Sequence, residues 1–421
     1  MALHVAFIIF LFVLGACIGS FLNVVIWRMP RGQSLVKPPS HCPKCDHRLA
    51  WYDNVPVVGW LWLRGRCRYC RQPISVRYPI IEAITGLLLV FYYVAFFILN
   101  TGPCTAGWPP RVVQSIQQDW AIYALYMFCI CALLAVTMID AELFIIPLEI
   151  PWLMSLVGII AHALIDTPQV PGALNLVVSK GGLWQPTWAN AVAAGGAVGL
   201  VATIAAFLVG WMPQSFPTGE PSLEIDQDAF AKEVAAATKE GRDPPPAPPV
   251  YTSWQIRAEM GKEILFLLPP IVGAVGWLVL TEKVPAVHNM WAIATGPMWV
   301  TGMLGAALGA MIGGLVVWLA RILGTLAFGR IAMGLGDVHL MFGVGAIVGA
   351  GAATVAFFLA PFAGVVVGVW GWITRRRHEL PLGPYLSLAT AVVMLCYCPI
   401  AEYLRPGVDG LLLIVSGVLG R

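Results

Sequence analysis

The chain has 421 residues, of which 59% are hydrophobic and only 11% charged, with a mean hydropathy of +0.79. A soluble chain carries about 25% charged residues, so this composition excludes a water-soluble globular protein. It also excludes a disordered chain, a disulfide scaffold and, at a net charge of +3, a nucleic-acid binder held by overall charge.

What remains is an all-α polytopic membrane protein. A membrane helix needs about 20 largely apolar residues. Such stretches fall at 3–27, 79–99, 120–139, 150–166, 188–211, 264–281, 297–320, 338–353, 355–373 and 384–400, which predicts about ten transmembrane helices. The first has no basic residue before it and no A-x-A site after it, so it reads as a retained anchor and not a cleaved signal. The division that follows is a first helix over 1–27, an extramembrane cysteine module over 28–78, helices two to five over 79–212, a Pro-rich insert over 213–262 and helices six to ten over 263–421. The insert carries Pro244-Pro245-Pro246 and Pro248-Pro249 and reads as flexible, with a short helix near Asp228–Lys239. Loops 100–119 and 167–187 are polar and turn-rich and show no site. The Gly-rich run Gly302–Gly314 suits close helix packing, or is merely small.

Lysine and arginine in the loops set the orientation. Residues 28–77 hold ten of them against two acids, Asp46 and Asp53. With that segment cytoplasmic, alternation over ten spans puts 20 basic residues inside and five outside (Arg111, Lys180, Lys283, Arg405 and Arg421). Both termini are then expected outside.

The cysteine module reads Cys42-Pro-Lys-Cys45, 21 residues, then Cys67-Arg-Tyr-Cys70. Two CxxC knuckles at this spacing match a four-thiolate tetrahedral zinc site. Nearby Arg and Lys favour thiolates, and a reducing cytoplasm disfavours disulfides. Four protein ligands close the site, so the zinc is expected to be structural; redox chemistry or iron are the alternatives. Cys17, Cys104, Cys129, Cys131, Cys396 and Cys398 read as small hydrophobes.

Carboxylates in apolar spans are unfavourable and usually functional. Asp140 ends the third span in Val136-Thr-Met-Ile-Asp140, and Asp337 opens the eighth in Gly334-Leu-Gly336-Asp337. The topology puts both at the cytoplasmic edge, 197 positions apart in sequence. Each alone is compatible with a helix-end carboxylate; together they meet the requirement for an aspartyl dyad, in which two close carboxylates share a proton. Gly334 and Gly336 support the motif by letting backbone approach an extended substrate. Glu82 reads as interfacial or as part of a site, Ser20 and Asn23 as interhelical hydrogen-bond formers, Glu142 and Glu149 as facing headgroups, and His339 as an interfacial polar residue. Asp166 falls on the outer side, away from the pair.

Taken together these residues resemble the type IV prepilin peptidases, the bifunctional leader peptidase/N-methyltransferases of the GxGD aspartyl protease family that serve pilus and type II secretion systems. Gly19-Ser-Phe-Leu-Asn-Val-Val-Ile26 with Arg28 and Pro30 is similar to the family's opening motif. The cysteine module with Trp51-Tyr-Asp-Asn-Val-Pro56, Ile74-Ser-Val-Arg-Tyr-Pro79 and Glu82 is similar to its zinc-bearing cytoplasmic domain. Asp140 and Asp337 fall where the family has its catalytic aspartates, and Pro381-Leu-Gly-Pro384-Tyr385 resembles the start of its final helix. The chain departs from the pattern in having His339 where the family has Lys, Leu148-Glu149 where an Asp or Asn is common after Pro147, and an extra pair of spans, 188–211 and 264–281.

The resemblance implies an enzyme of the bacterial inner membrane that cleaves the leader of type IV prepilins or pseudopilins after a Gly at the cytoplasmic face. It also implies methylation of the new N-terminus with S-adenosylmethionine. No Gly-rich fingerprint for that cofactor is visible, so its binding residues are unknown. The expected partners are prepilins or pseudopilins and the lipid bilayer, with no nucleic acid. Two other readings stand beside this one. A transporter would use Asp140 and Asp337 as proton or cation sites, and a non-catalytic assembly protein would bind pilin-like clients without cutting them.

Overall fold

The computed structural model describes residues 2–99, 101, 115–165, 186–216, 251–373 and 381–418. The short helix expected near Asp228–Lys239, the proline runs of the insert, Asp166, Cys104 and most of loops 100–119 and 167–187 lie outside the described residues.

The described residues are mainly helical and hold no β-strand, only two isolated β-bridges. In chain order the helices are α1 (Ala2–Arg28), the short α2 (Val58–Trp62), α3 (Arg77–Tyr93), α4 (Ile116–Leu143), α5 (Glu149–Leu164), α6 (Pro186–Leu208) and α7 (Ser253–Lys283). They continue as α8 (Pro285–Ala294), α9 (Met298–Phe328), α10 (Leu335–Val348), α11 (Ala350–Ile373) and α12 (Leu382–Val418). Among the described residues six helices are long and apolar enough to cross a membrane, and four shorter apolar helices accompany them. Each of the ten apolar stretches read from sequence falls on one of these, and the chain is a multi-pass membrane protein.

One boundary differs. The stretch expected over 264–281 is the second part of a helix that already begins at Ser253. Thr252 starts it with a capping box, its hydroxyl accepting from the Gln255 amide while the Gln255 side chain accepts from the Thr252 amide. Such reciprocal capping satisfies amides that a helix start leaves without partners. The polar first turns of α7 hid the helix from a hydropathy reading.

In lipid there is no hydrophobic drive between apolar helices, so close backbone approach at small residues holds them together. α1 meets α3 at Gly15 and Gly19, four residues apart, where an added Cβ would lie 2.7 Å from the Cα of Gly86 and of Glu82 respectively. α9 meets α10 in the same way, with Gly309 and Gly345 each facing the other's carbonyl too closely for a side chain. This bears out close packing for the Gly302–Gly314 run. The largest core joins α1, α3, α4, α5, α10, α11 and α12, with Val136, Ile139, Leu340, Met341 and Leu386 almost fully buried. That core lies directly under the ends of α4, α10 and α12, where the two aspartates sit.

Candidate active site and metal centre

Asp140 is in the last turn of α4. Its carbonyl accepts from the amide of Phe144, whose φ of 55° ends the helix. Its buried carboxylate accepts through Oδ2 from the Gly383 amide at 3.1 Å. Gly383 lies in the first turn of α12, where amides have no acceptor within the helix. A Cβ at this position would collide with the Asp140 carboxylate, so the contact needs glycine.

Asp337 is in the first turn of α10, after the N-cap Gly334, and is also buried. A Cβ on Gly336 would stand 3.0 Å from that of Ile146, and Ile146 lies just past the end of α4. Contacts among α4, α10 and α12 close the junction. The structure therefore brings the sequence-selected aspartates to the same end of the helix bundle, where the end of α4 meets the starts of α10 and α12. A mostly apolar cleft of about 420 Å³ lies among α5, α6, α7, α9 and α10, lined by residues such as Trp152, Phe266, Trp318, His339 and Phe342, and neither aspartate lines it.

The cysteine module stands at the same end. Arg77, the first residue of α3, pairs with Glu142, two residues past Asp140. Glu142 is thus an ion-pair partner and not a residue that merely faces headgroups. Glu82, on α3, is buried and accepts from the Val57 amide at 2.7 Å, while Asn23 of α1 donates to the Tyr78 carbonyl at 3.1 Å. Glu82 therefore ties the module to the membrane helices. Inside the module Arg68 donates twice to the buried Asp53, at 2.8 and 2.6 Å.

The two knuckles are copies of one backbone design. In the first, Cys42 donates to the His47 carbonyl at 2.9 Å, Asp46 to the Cys42 carbonyl at 2.8 Å, and Leu49 to that of Ser40 at 2.9 Å. In the second, Cys67 donates to Gln72 at 2.9 Å, Arg71 to Cys67 at 3.0 Å, and Ile74 to Gly65 at 2.8 Å. The matching residues Asp46 and Arg71 both take a positive φ, 58° and 60°. Each knuckle closes through an isolated β-bridge, His41 with Arg48 and Arg66 with Pro73.

These turns converge the sulfurs of Cys42, Cys45, Cys67 and Cys70, all within 4.8 Å of one another. Cys42 and Cys70 are 3.8 Å apart. A tetrahedral ion with Zn–S bonds of about 2.3 Å has sulfur edges of about 3.8 Å, so the cluster fits such an ion without rearrangement. Burial opposes ionisation of the Cys42 thiol, but the amides of Lys44 and Cys45 and the neighbouring thiols bring it down to about 7. The His47 amide favours ionisation of Cys45, yet burial and the other three sulfurs outweigh it and push that thiol up to about 11. Four thiolates in this volume call for a cation. Cys129 and Cys131, by contrast, are buried in the helical core as expected.

A family model described as the bacterial peptidase A24 N-terminal domain matches residues 13–96, which takes in most of α1, the module and α3. A prepilin leader peptidase/N-methyltransferase of Myxococcus xanthus (strain DK1622) is 65% identical over 82 residues, covering 20% of this chain and 24% of that protein. One of the same name from Klebsiella pneumoniae is 33% identical over 232 residues, covering 51% of this chain and 90% of that protein. The chain belongs to the prepilin leader peptidase/N-methyltransferase family. A type 4 prepilin-like proteins leader peptide-processing enzyme of Escherichia coli O78:H11 is 39% identical over 128 residues, covering 26% of this chain and 44% of that protein. No solved structure matches. About half of this family member therefore lies outside the Klebsiella match.

Four residues whose contacts hold these elements together carry little signal in the sequence. Gly383 was visible only as part of a Gly-Pro helix start. Arg321 and Glu263 are buried partners on α9 and α7, and Val57 is a bonded amide whose identity carries no signal. Asn23 takes its expected interhelical role. His339 is half-buried, its Nδ1 2.8 Å from the Leu335 carbonyl and its ring 5.9 Å from that of Trp152.

Proposed function

We propose that the chain is a membrane-embedded aspartyl endopeptidase that removes the leader from type IV prepilins or type II secretion pseudopilins, with Asp140 and Asp337 as the catalytic pair. The observation that carries the reading is the burial of both carboxylates in helix ends that meet at one junction, α4 and α10, with α12 closing it. Family membership supports the same activity.

One carboxylate takes a proton from water, and the water oxygen attacks the carbonyl carbon of the scissile peptide bond. The other, protonated, gives its proton to the carbonyl oxygen. Collapse of the tetrahedral intermediate then breaks the C–N bond, and the departing amine picks up a proton from the pair. The Gly383 amide fixes one oxygen of Asp140 during these transfers. Gly334 and Gly336 leave room for an extended peptide backbone.

The site faces the cytoplasm, because the arginine-rich segment 28–77 stands at the same end of the bundle and basic loops remain inside. A basic prepilin leader stays on that side. The four cysteines hold structural zinc, which keeps the module folded and leaves no open coordination position for chemistry. N-methylation of the new N-terminus from S-adenosylmethionine completes the reading, supported by the names of the relatives.

The deciding experiment incubates purified protein with a prepilin and a labelled methyl donor and follows mass and N-terminal sequence. Asp140→Asn and Asp337→Asn should each abolish cleavage while the protein stays folded and membrane-inserted. Near-parental cleavage by either variant would end the assignment.

A further inference from the structure

Arg321 is a fully buried cation inside a membrane helix. Ionisable groups at such depth persist where partners satisfy them. Here the partner is Glu263 of α7, also buried, which accepts from Arg321 Nη2 at 2.9 Å and from Nε at 3.1 and 3.2 Å. Glu263 is itself held by the indole of Trp318, which donates to Oε2 at 2.7 Å.

The guanidinium has a further contact. Its Nη1 donates to the carbonyl of Met333, the residue immediately before Gly334-Leu-Gly336-Asp337. The stretch from the end of α9 to α10 is gripped by its neighbours. Thr325 accepts from the Ala332 amide at 3.1 Å. Arg257, also on α7, donates to the carbonyl of Leu326 at 2.9 Å. Ile256 and Met260 of α7 pack with Ile322 and Ile331 in a separate small core. Gly334, the N-cap of α10, imposes little conformational preference of its own, so the grip on Met333 helps to set where α10 begins and, with it, where Asp337 of its first turn is offered.

We propose that Glu263 is a positioning residue for the Asp337 turn. It holds the Arg321 guanidinium in the one orientation that also reaches Met333, and so makes α7 a working part of the peptidase site. The proposal rests on the reading of Asp337 as one of the catalytic pair. A pair that merely fastened α7 to α9 would have no effect on the turn once the two helices were held by other means.

That difference supplies the test. Replacing a buried ion pair by apolar residues of similar volume preserves folding, whereas removing one partner leaves a buried charge. The double variant Glu263→Gln/Arg321→Met removes both charges, keeps an acceptor for the Trp318 indole and α7 packed on α9, and deprives Met333 of its donor. Its melting temperature and its KM for prepilin should match the parent. Its kcat should fall about 10²-fold, the scale of a 1 Å misplacement of a reacting group. Amide exchange at residues 332–337 should accelerate, with α7 and α9 unchanged.

Parental kcat together with parental exchange in that turn overturns the proposal. Should the double variant fail to fold, Arg321→Lys decides. It keeps the charge pair, but a single ammonium cannot reproduce the planar fork that spans Glu263 and Met333, and parental kcat in that variant also overturns the proposal. Should the parent itself cut no prepilin, the functional reading falls, and the exchange comparison still decides the role of Glu263.

Discussion

The backbone amide of Gly383 donates to Oδ2 of Asp140 at 3.1 Å, across 243 positions of sequence. The contact joins the end of α4 to the start of α12 and orients a buried carboxylate with a group that cannot itself titrate. It also sets a steric limit, since a Cβ on Gly383 would occupy the space of the carboxylate.

Gly383→Ala should therefore displace Asp140 or α12 without adding or removing a charge. A shift near 1 Å at a reacting group lowers rate about 10²-fold, and that is the loss in kcat expected with a prepilin substrate. Folding should survive, because α12 remains packed on α4 and α11. Steady-state kinetics and a thermal melt on the same preparation check both halves; parental kcat would remove Gly383 from the site.

Metal analysis addresses the module. About one zinc ion per chain is expected, held by Cys42, Cys45, Cys67 and Cys70. Cys42→Ser removes a buried ligand and should abolish stoichiometric metal. It should also open 28–78 to limited proteolysis while α4, α10 and α12 stay protected. Chelation of the parent should give the same cleavage pattern. A protein that keeps its protease resistance after complete metal loss would refute a structural role.

Hydropathy and thiol spacing are local properties, and what they govern was legible in the sequence. Ten apolar stretches, the two knuckles and the helix-end positions of Asp140 and Asp337 follow from which residues neighbour one another along the chain. The Arg321–Glu263 pair joins side chains 58 positions apart, and the Gly383–Asp140 bond a still greater separation. Such contacts depend on helix packing, which small residues such as Gly309 and Gly345 determine without marking a partner. The start of α7 was hidden for a different reason. Its signal is a capping box at Thr252 and Gln255, and a reading keyed to apolar runs passes over a polar helix start.

Two acidic residues join the cysteine module to the membrane helices, and their environments predict unequal consequences. Glu82 is buried and accepts from the Val57 amide at 2.7 Å. That amide is presented by a γ-turn of the strained, positive-φ kind, with Val57 at φ 60° and the Val58 amide bonded to the Pro56 carbonyl. A residue in so sparsely populated a region persists only where its surroundings hold it. Glu82→Ala leaves the amide without an acceptor, which destabilises by about 1–3 kcal/mol, and should speed exchange at residues 56–60. Glu82→Gln keeps a carbonyl acceptor and should restore most of the protection. Glu142, by contrast, pairs with Arg77 where both side chains are about a third exposed, and such a pair contributes about 0–1 kcal/mol. Glu142→Ala should barely move the module's exchange or melting. Equal effects from Glu82→Ala and Glu142→Ala, or no rescue by Glu82→Gln, would mean that the Val57 hydrogen bond is not what docks the module.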